Sequence, residues 1–532
     1  MTILLRTSKH IPEPELYRYW ISIERNPIKL PVETMFPEVE QLIERHFVKI
    51  KDQWLLIGRQ LQTVGRDNLA HMPTAGSFGS DFGIMLAWTS IAQELAIHED
   101  TILIICDDPW LFRQIAKESR TKSGPKPGMR VPIVKMVTRG IVARIKLFFR
   151  LAIASLYLRY QRREFGTTLP SILVYGHPES DVRGFDAYFK DLMIKTPTLQ
   201  RVLHTDCSLS NASALALDSR TKSLHAWGNP MYAIILIFVR WKPYISAELE
   251  HWRFIIQRSV IIENSRAGIA INKWQAYCQK RWVRSCRPSV ILWPWENHGW
   301  ERNLVRISRN YHTKTIGYQH TVVGPHQFNY FLGANKDGLE SVPDKIIASG
   351  QAYLTELIEN GFPEERIEIG GALRYTKPRG DPFDLNGKIF LALSAIPSVS
   401  EALLKIAEKI SASGYSILVK EHPMYPVLFE ETDRIKRTGT PLVQQKKISS
   451  VIYSTGTSGV EALLMQLPAL RLILKNEVAI DVLPKGYSNQ VITQENVLDI
   501  LKQISRPAKF DYETIFAEPN DQLWSTVFGI EI

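Results

Sequence analysis

Ile417-Leu418-Val419-Lys420-Glu421-His422-Pro423 is a short apolar run that breaks into a charged turn. Further along, Val451-Ile452-Tyr453 breaks in the same way into Ser454-Thr455-Gly456-Thr457-Ser458-Gly459, and a helix-like segment with Glu461-Ala462 follows. A brief apolar run closed by a polar turn is the pattern of a strand buried on both faces, as in parallel sheets. The alternation continues on both sides. It predicts strand 388–393, helix 399–411, strand 416–420, strand 451–453, helix 459–466 and strand 469–474. Strands alternating with crossover helices make a doubly wound α/β unit.

Upstream the same rhythm recurs. Apolar runs at 101–106, 171–175, 201–204, 289–293, 315–320, 345–350 and 367–371 predict strands, and Trp300 to Tyr311 predicts a helix. The stretch Tyr375 to Gly387 is rich in Pro, Gly and Asp and reads as a boundary. This divides the chain into an N-terminal Rossmann-like domain over 1–375, a second over 376–511, and a tail over 512–532 that packs back on the first. A length of 532 residues exceeds one compact core and agrees with two domains.

Composition narrows the class. Hydrophobic residues make up 45% and charged residues 22%, which is globular usage and excludes disorder. Cys106, Cys207, Cys278 and Cys286 have no metal-ligand spacing and read as reduced structural thiols. The N-terminus lacks the apolar run of a signal peptide, and no stretch approaches the length of a membrane span. Met231 to Val239 is too short to span and reads as a buried element. These features predict a cytoplasmic protein. Asp107-Asp108 resembles a metal-binding acidic pair, but Pro109-Trp110 follows directly. Asp108 therefore reads as a helix cap with Pro109 at the first helical position, and no metal site is expected.

The strand-end pair carries the chemistry. In an open α/β sheet, ligands lie beyond the carboxyl ends of the strands. A Ser/Thr/Gly turn entering a helix offers backbone N–H groups and hydroxyls suited to a phosphate. A nearby cationic His or Lys can neutralise a departing nucleotide without a metal. Each motif also has a purely structural reading, because Ser458-x-x-Glu461 and Ser398-x-x-Glu401 are both capping-box patterns.

Lys-x-His-Pro followed by a Ser/Thr-rich turn and Glu-Ala is similar to bacterial surface-polysaccharide transferases of the GT-B fold. That group includes capsule Kdo transferases, sialyltransferases and glycerophosphotransferases. Trp295-Glu296-Asn297-His298-Gly299-Trp300-Glu301 and Ile316-Gly317-Tyr318-Gln319-His320-Thr321 resemble a further group of O-antigen and surface-carbohydrate transferases. The resemblance covers about residues 288–475. It implies two Rossmann-like domains facing a cleft and a glycosyltransferase activity that uses a nucleotide-sugar donor, CMP-linked and carrying Kdo or another ulosonic acid. The acceptor is a surface glycan or lipid-linked glycan, and no cofactor or metal is implied.

By that resemblance, Lys420, Glu421, His422 and Pro423 form one side of the donor site, with His422 on the phosphate. Ser454, Thr455, Gly456, Thr457 and Ser458 form the other side. Glu461 lies near the ribose or caps its helix, and Ser394 closes over the nucleotide. Glu296, directly after a strand end, is the first choice for the acceptor-side group. It is a general base in an inverting enzyme and a nucleophile in a retaining one. Its structural reading is a cap through Asn297 or a pair with Arg302. His298 and His320 are further candidates. A nucleotide-sugar epimerase of the same fold and a non-catalytic, membrane-associated assembly partner are the alternatives.

Charge is uneven. The net charge is +11, and the segment 117–164 alone carries thirteen Lys/Arg against two Glu. Its apolar residues recur at helical spacing, so 117–164 reads as a basic helical insertion. Basic and aromatic residues interleaved through 117–163 suit contact with an anionic inner-membrane surface, as a peripheral association. The other reading is a core helix pair with one solvated basic face. No nucleic-acid motif accompanies the charge.

Overall fold

The computed structural model describes residues 2–24, 28–62, 69–75, 80–164, 166–375, 377, 380–422 and 425–528. The expected α/β class is observed: among these residues the strands form three all-parallel sheets. The first contains β1 (Ile3–Arg6), β2 (Tyr19–Ser22), β3 (Ile102–Ile105) and β4 (Thr121–Ser123), in the order β2-β3-β1-β4. The second contains β5 (Ser171–Val174), β6 (Gln200–Leu203), β7 (Thr221–Ser223), β8 (Val290–Pro294), β9 (Lys314–Tyr318), β10 (Lys345–Ala348) and β11 (Ile367–Ile369). The third contains β12 (Phe383–Ala392), β13 (Ile417–Lys420), β14 (Ile435–Arg437), β15 (Ile448–Tyr453), β16 (Ala469–Leu472) and β17 (Gln490–Ile492).

The second sheet runs β7-β6-β5-β8-β9-β10-β11 and the third β14-β13-β12-β15-β16-β17. Both follow the 3-2-1-4-5-6 order of the Rossmann fold, with strand order reversing between β5 and β8 and between β12 and β15. The apolar runs explain the central strands. Every residue of β8 and of β15 is buried, as a strand covered by helices on both faces requires. The first sheet is additional to this pair, so residues 1–375 carry two sheets.

By contact density the chain forms two units. One comprises Met1–Phe148, Leu236–Asn272 and Ile473–Val478, and the other contains both Rossmann-order sheets. In the first unit, Asp108 caps the helix Pro109–Ile115, accepting from the N–H groups of Trp110 and Leu111, and pairs with Arg258 at 2.6 Å. The cap reading of Asp108 therefore holds.

In the second unit the C-terminal helix Asp521–Phe528 lays Trp524 and Phe528 against Ile172, Leu292, Ile316 and Ile347 of the second sheet. The Trp524 indole N–H donates to the Gly370 carbonyl at 2.9 Å. Such rings contribute on the order of 2–3 kcal/mol each by burial.

Within the same unit the two Rossmann-order sheets meet at loops beyond their strands. The Asp481 N–H donates to His326 Nδ1 at 2.9 Å. A Cβ on Gly324 would lie 2.5 Å from the Asp481 carbonyl oxygen, so only glycine permits this approach. This pairing of two Rossmann-like sheets is the GT-B arrangement.

Three local expectations are corrected. Met231–Val239 is not buried: the helix Pro230–Leu236 buries only Ala233 and Leu236 and leaves Met231, Ile235 and the following Phe238 exposed. Neither capping box forms. The helices Ser458–Leu464 and Pro397–Ala412 are preceded by Thr457 and Ile396, and neither residue makes a side-chain cap bond. Ser458 and Ser398 thus lie inside the first turn, one and two positions too late to cap.

Candidate active site

The site is built from strand ends. β8 ends at Pro294, and Trp295-Glu296-Asn297-His298 turn into the helix Gly299–Arg309. Glu301 caps that helix. Its carboxylate accepts from the backbone N–H groups of Glu296, Asn297 and His298 at 2.9, 3.1 and 3.2 Å, and from the Trp293 indole at 2.9 Å. Glu301, not Glu296, is therefore the capping residue. Arg302 bonds to Asn297 and to the Ala334 carbonyl, not to Glu296.

Asn297 has φ +56°, in the left-handed region, and is fully buried. Its amide donates to the Asn329 carbonyl and to Asn335 Oδ1, both at 2.7 Å, and accepts from Asn335 and Arg302. Asn329 returns a bond to the Glu296 carbonyl at 2.6 Å, and Tyr330 OH donates to the Trp295 carbonyl. This polar network fixes the turn that presents Glu296. We expect Asn297→Ala to cost about 3 kcal/mol, through unsatisfied buried groups and the strained φ. The expected readout is a lower thermal unfolding temperature, and an unchanged one refutes the network's role.

Glu296 lies between two imidazoles. His298 Nε2 is 3.0 Å from one carboxylate oxygen and His320 Nε2 is 3.8 Å from the other. Burial pushes the Glu296 carboxyl up. The His298 bond and the charges of His298, His320 and Arg374 outweigh it and hold the group down to about 2. Burial pulls His298 down, but the bond and charge of Glu296 leave it above the ordinary histidine value. Burial depresses His320 to about 4. At neutral pH Glu296 is a carboxylate and His320 a neutral imidazole, while His298 holds its proton more tightly than an ordinary histidine. A third of the Glu296 side chain remains exposed.

Beside this cluster lie groups the sequence reading did not select. The His320 ring packs edge-on against Tyr188 at 5.1 Å, and the Arg374 guanidinium covers the Tyr188 face at 5.1 Å. His177, at the end of β5, packs edge-on against Tyr188 at 6.0 Å. Arg374 acts electrostatically on Glu296, His320, His177 and Glu461. Its field reaches groups of both sheets. Its sequence signal is slight: an Arg shortly after the strand-ending Gly370-Gly371.

The third sheet contributes the strand ends of β12, β13 and β15. Lys420 Nζ donates to the Gly439 carbonyl at 2.6 Å. Glu421 pairs with Arg437 and accepts from the Val427 N–H at 3.1 Å. Of the Lys-Glu-His run, His422 is the residue that senses the second sheet. Burial and the charge of His177 both depress its pKa. Pro423 lies outside the described residues.

In the Ser/Thr turn, Thr455 Oγ accepts from the Ile480 N–H at 3.0 Å and Thr457 Oγ donates to Glu461 at 3.2 Å. Gly456 has φ +138° and faces open space, a conformation that requires glycine. Ser454 is fully buried, and Ser458 begins the helix half-exposed. Burial raises the Glu461 carboxyl, against the Thr457 bond and Arg374. Ser394, beyond β12, is buried and bonds to Ser400 and to the Ile396 N–H.

A cavity of about 720 Å³ lined by Asp381, Phe383 and Gln444 lies at the amino ends of β12 and β15, away from these groups. Among the described residues no group of three or more His, Cys, Asp or Glu is arranged to hold a metal ion.

No protein-family model matches the chain, and no curated protein matches it. Solved structures overlap it loosely. A UDP-N-acetylglucosamine 2-epimerase from Rickettsia bellii aligns at 12% identity and TM-score 0.35 over 67% of this chain and 90% of its own. The lipopolysaccharide outer core galactosyltransferase WaaB aligns at 8% and 0.32 over 68% and 94% respectively. Anabaena Alr3699/HepE, in complex with UDP, aligns at 12% and 0.32 over 68% and 96% respectively.

Proposed function

We propose that the chain is a glycosyltransferase that moves a sugar from a nucleotide-linked donor to a hydroxyl of a glycan acceptor. The observation that carries this reading is the pairing of switch points. In one Rossmann-order sheet the switch point presents an ionised Glu296 between two imidazoles. In the other it presents the Ser454–Ser458 turn after β15, with His422 just beyond the end of β13, on the other side of β12. Arg374 acts on both.

The nucleotide lies over the third sheet, with its phosphate toward the turn, His422 and Arg374. His422 is neutral near pH 7, so it donates a hydrogen bond rather than a charge, and Arg374 supplies the charge. The acceptor hydroxyl lies against Glu296. The acceptor oxygen bonds to the anomeric carbon as the bond from that carbon to the phosphate oxygen breaks. The nucleotide leaves with that electron pair, and Glu296 takes the acceptor proton. This chemistry needs no metal to balance charge.

The donor we propose is a CMP-linked ulosonic acid, the class implied by the Lys-x-His-Pro resemblance. Its sugar carboxylate suits the Arg374 guanidinium. A mass-spectrometric screen of CMP-, CDP- and UDP-sugars, with and without acceptor glycan and chelator, tests the reading. Expected is acceptor-dependent release of CMP that resists chelation. Conversion of a UDP-sugar without acceptor would instead identify an epimerase. Absence of binding and turnover with every donor refutes the proposal.

A further inference from the structure

The helix Arg130–Leu158 has 29 residues and extends about 43 Å. One side faces the protein: Arg144, Leu147, Leu151, Ala154 and Leu158 are buried at spacings of three and four. At about 100° per residue, Val134, Ile141, Ile145, Phe149 and Leu156 lie on the opposite side. They are exposed, Val134 by 64%, Phe149 by 56% and Leu156 by 51%. A helix that packs on its own protein along one stripe ordinarily turns polar residues outward. This one has a second apolar stripe facing out.

Along one edge of that stripe run Lys135, Arg139, Lys146 and Arg150, all exposed. No Asp or Glu occurs between Glu118 and Glu164. Two neighbouring features repeat the chemistry. Arg144 donates to the Ile237 carbonyl at 2.9 Å, and the next residue, Phe238, is 78% exposed and followed by Arg240 and Lys242. Past the helix, Arg159, Arg162 and Arg281 line a cavity of about 830 Å³ with Tyr160 and Trp227.

We propose that the outer face of Arg130–Leu158 is an interfacial anchor that lies flat on an anionic lipid bilayer. The apolar stripe enters the headgroup boundary and the basic edge pairs with lipid phosphates. Charge complementarity selects this occupant: an apolar stripe edged by cations, with no carboxylate, matches anionic headgroups over acyl chains. A second copy of the chain would bring the same cations together and repel. Among the described residues no helix is long and apolar enough to cross a membrane, so the contact is peripheral. The inference is independent of the catalytic reading.

The test uses the full chain with phosphatidylcholine vesicles, with and without phosphatidylglycerol. An environment-sensitive dye on I145C reports insertion, because the four native cysteines are buried. Expected are co-sedimentation with anionic vesicles only, reversal by salt, and a dye blue shift on binding. The combined variant K135Q/R139Q/K146Q/R150Q should bind about a hundredfold more weakly while keeping its circular dichroism. Equal binding to neutral vesicles, no binding, or a blue shift without lipid accompanied by dimer sedimentation each overturns the proposal.

Discussion

Glu296→Gln is expected to lower kcat by a factor of about a hundred to ten thousand, with little change in donor affinity. The amide keeps the shape but accepts no proton and carries no charge. The proposed donor groups, those of the third sheet and Arg374, are left in place, so KM for the donor should hold. The same variant has a spectroscopic readout that a merely structural role would not give. His298 sits above the ordinary histidine value because Glu296 bonds and charges it against burial. Without that carboxylate, burial and the Arg302 charge are opposed only by the Glu301 charge, so the His298 imidazole should titrate lower than in the parent chain. Imidazole NMR across a pH series measures both states.

The linkage runs in two directions. Glu296 is depressed, so its contribution to stability is present above about pH 4.3 and is lost as pH falls through about 2. His298 is raised, so its contribution is present below about pH 6.5 and is lost as pH rises through its elevated value. The pair is therefore intact from about pH 4.3 to beyond 6.5. Undiminished turnover in Glu296→Gln, with His298 titrating as before, would remove Glu296 from the chemistry.

What the sequence made legible follows from burial. β8 and β15 are covered on both faces; β8 appears as an unbroken apolar run and β15, after Ser449-Ser450, as the shorter run Val451–Tyr453, so their turns could be located to the residue. β1, β4 and β17 are short strands of three or four residues, and in β4 and β17 exposed residues leave no such run. Strand order leaves no local trace, so the first sheet and the two switch points emerged only in three dimensions. At the site, Glu296 was legible because a strand end fixes its position. Lys420 was not, because its fate depends on the Gly439 carbonyl of a neighbouring loop. His422 read as a cation, yet burial and His177 depress it. The cation of the site is Arg374, and it escaped notice for a physical reason. It lies at the start of a Pro/Gly-rich stretch that reads as a linker, and its importance comes from touching the fields of two sheets at once.

That reassignment predicts the second large effect. Arg374→Ala should lower kcat/KM for the donor by roughly 10- to 150-fold, the equivalent of about 1.5–3 kcal/mol for a lost charge-assisted bond to an anion. The loss should appear in donor binding by calorimetry as well as in turnover, because the guanidinium faces the donor phosphate or carboxylate before the bond breaks. Arg374→Lys should recover only part of it. An ammonium lacks the planar fork that grips two anionic oxygens, and it stacks less well on the Tyr188 ring. Glu461 gives an independent signature: Arg374 lowers its carboxyl, so removal should raise it further. Should Arg374→Ala bind and turn over donor like the parent chain, the charge on the leaving nucleotide must be met elsewhere. Lys190, half-buried over the Phe185 ring and within the field of Arg374, would then be the next cation to replace.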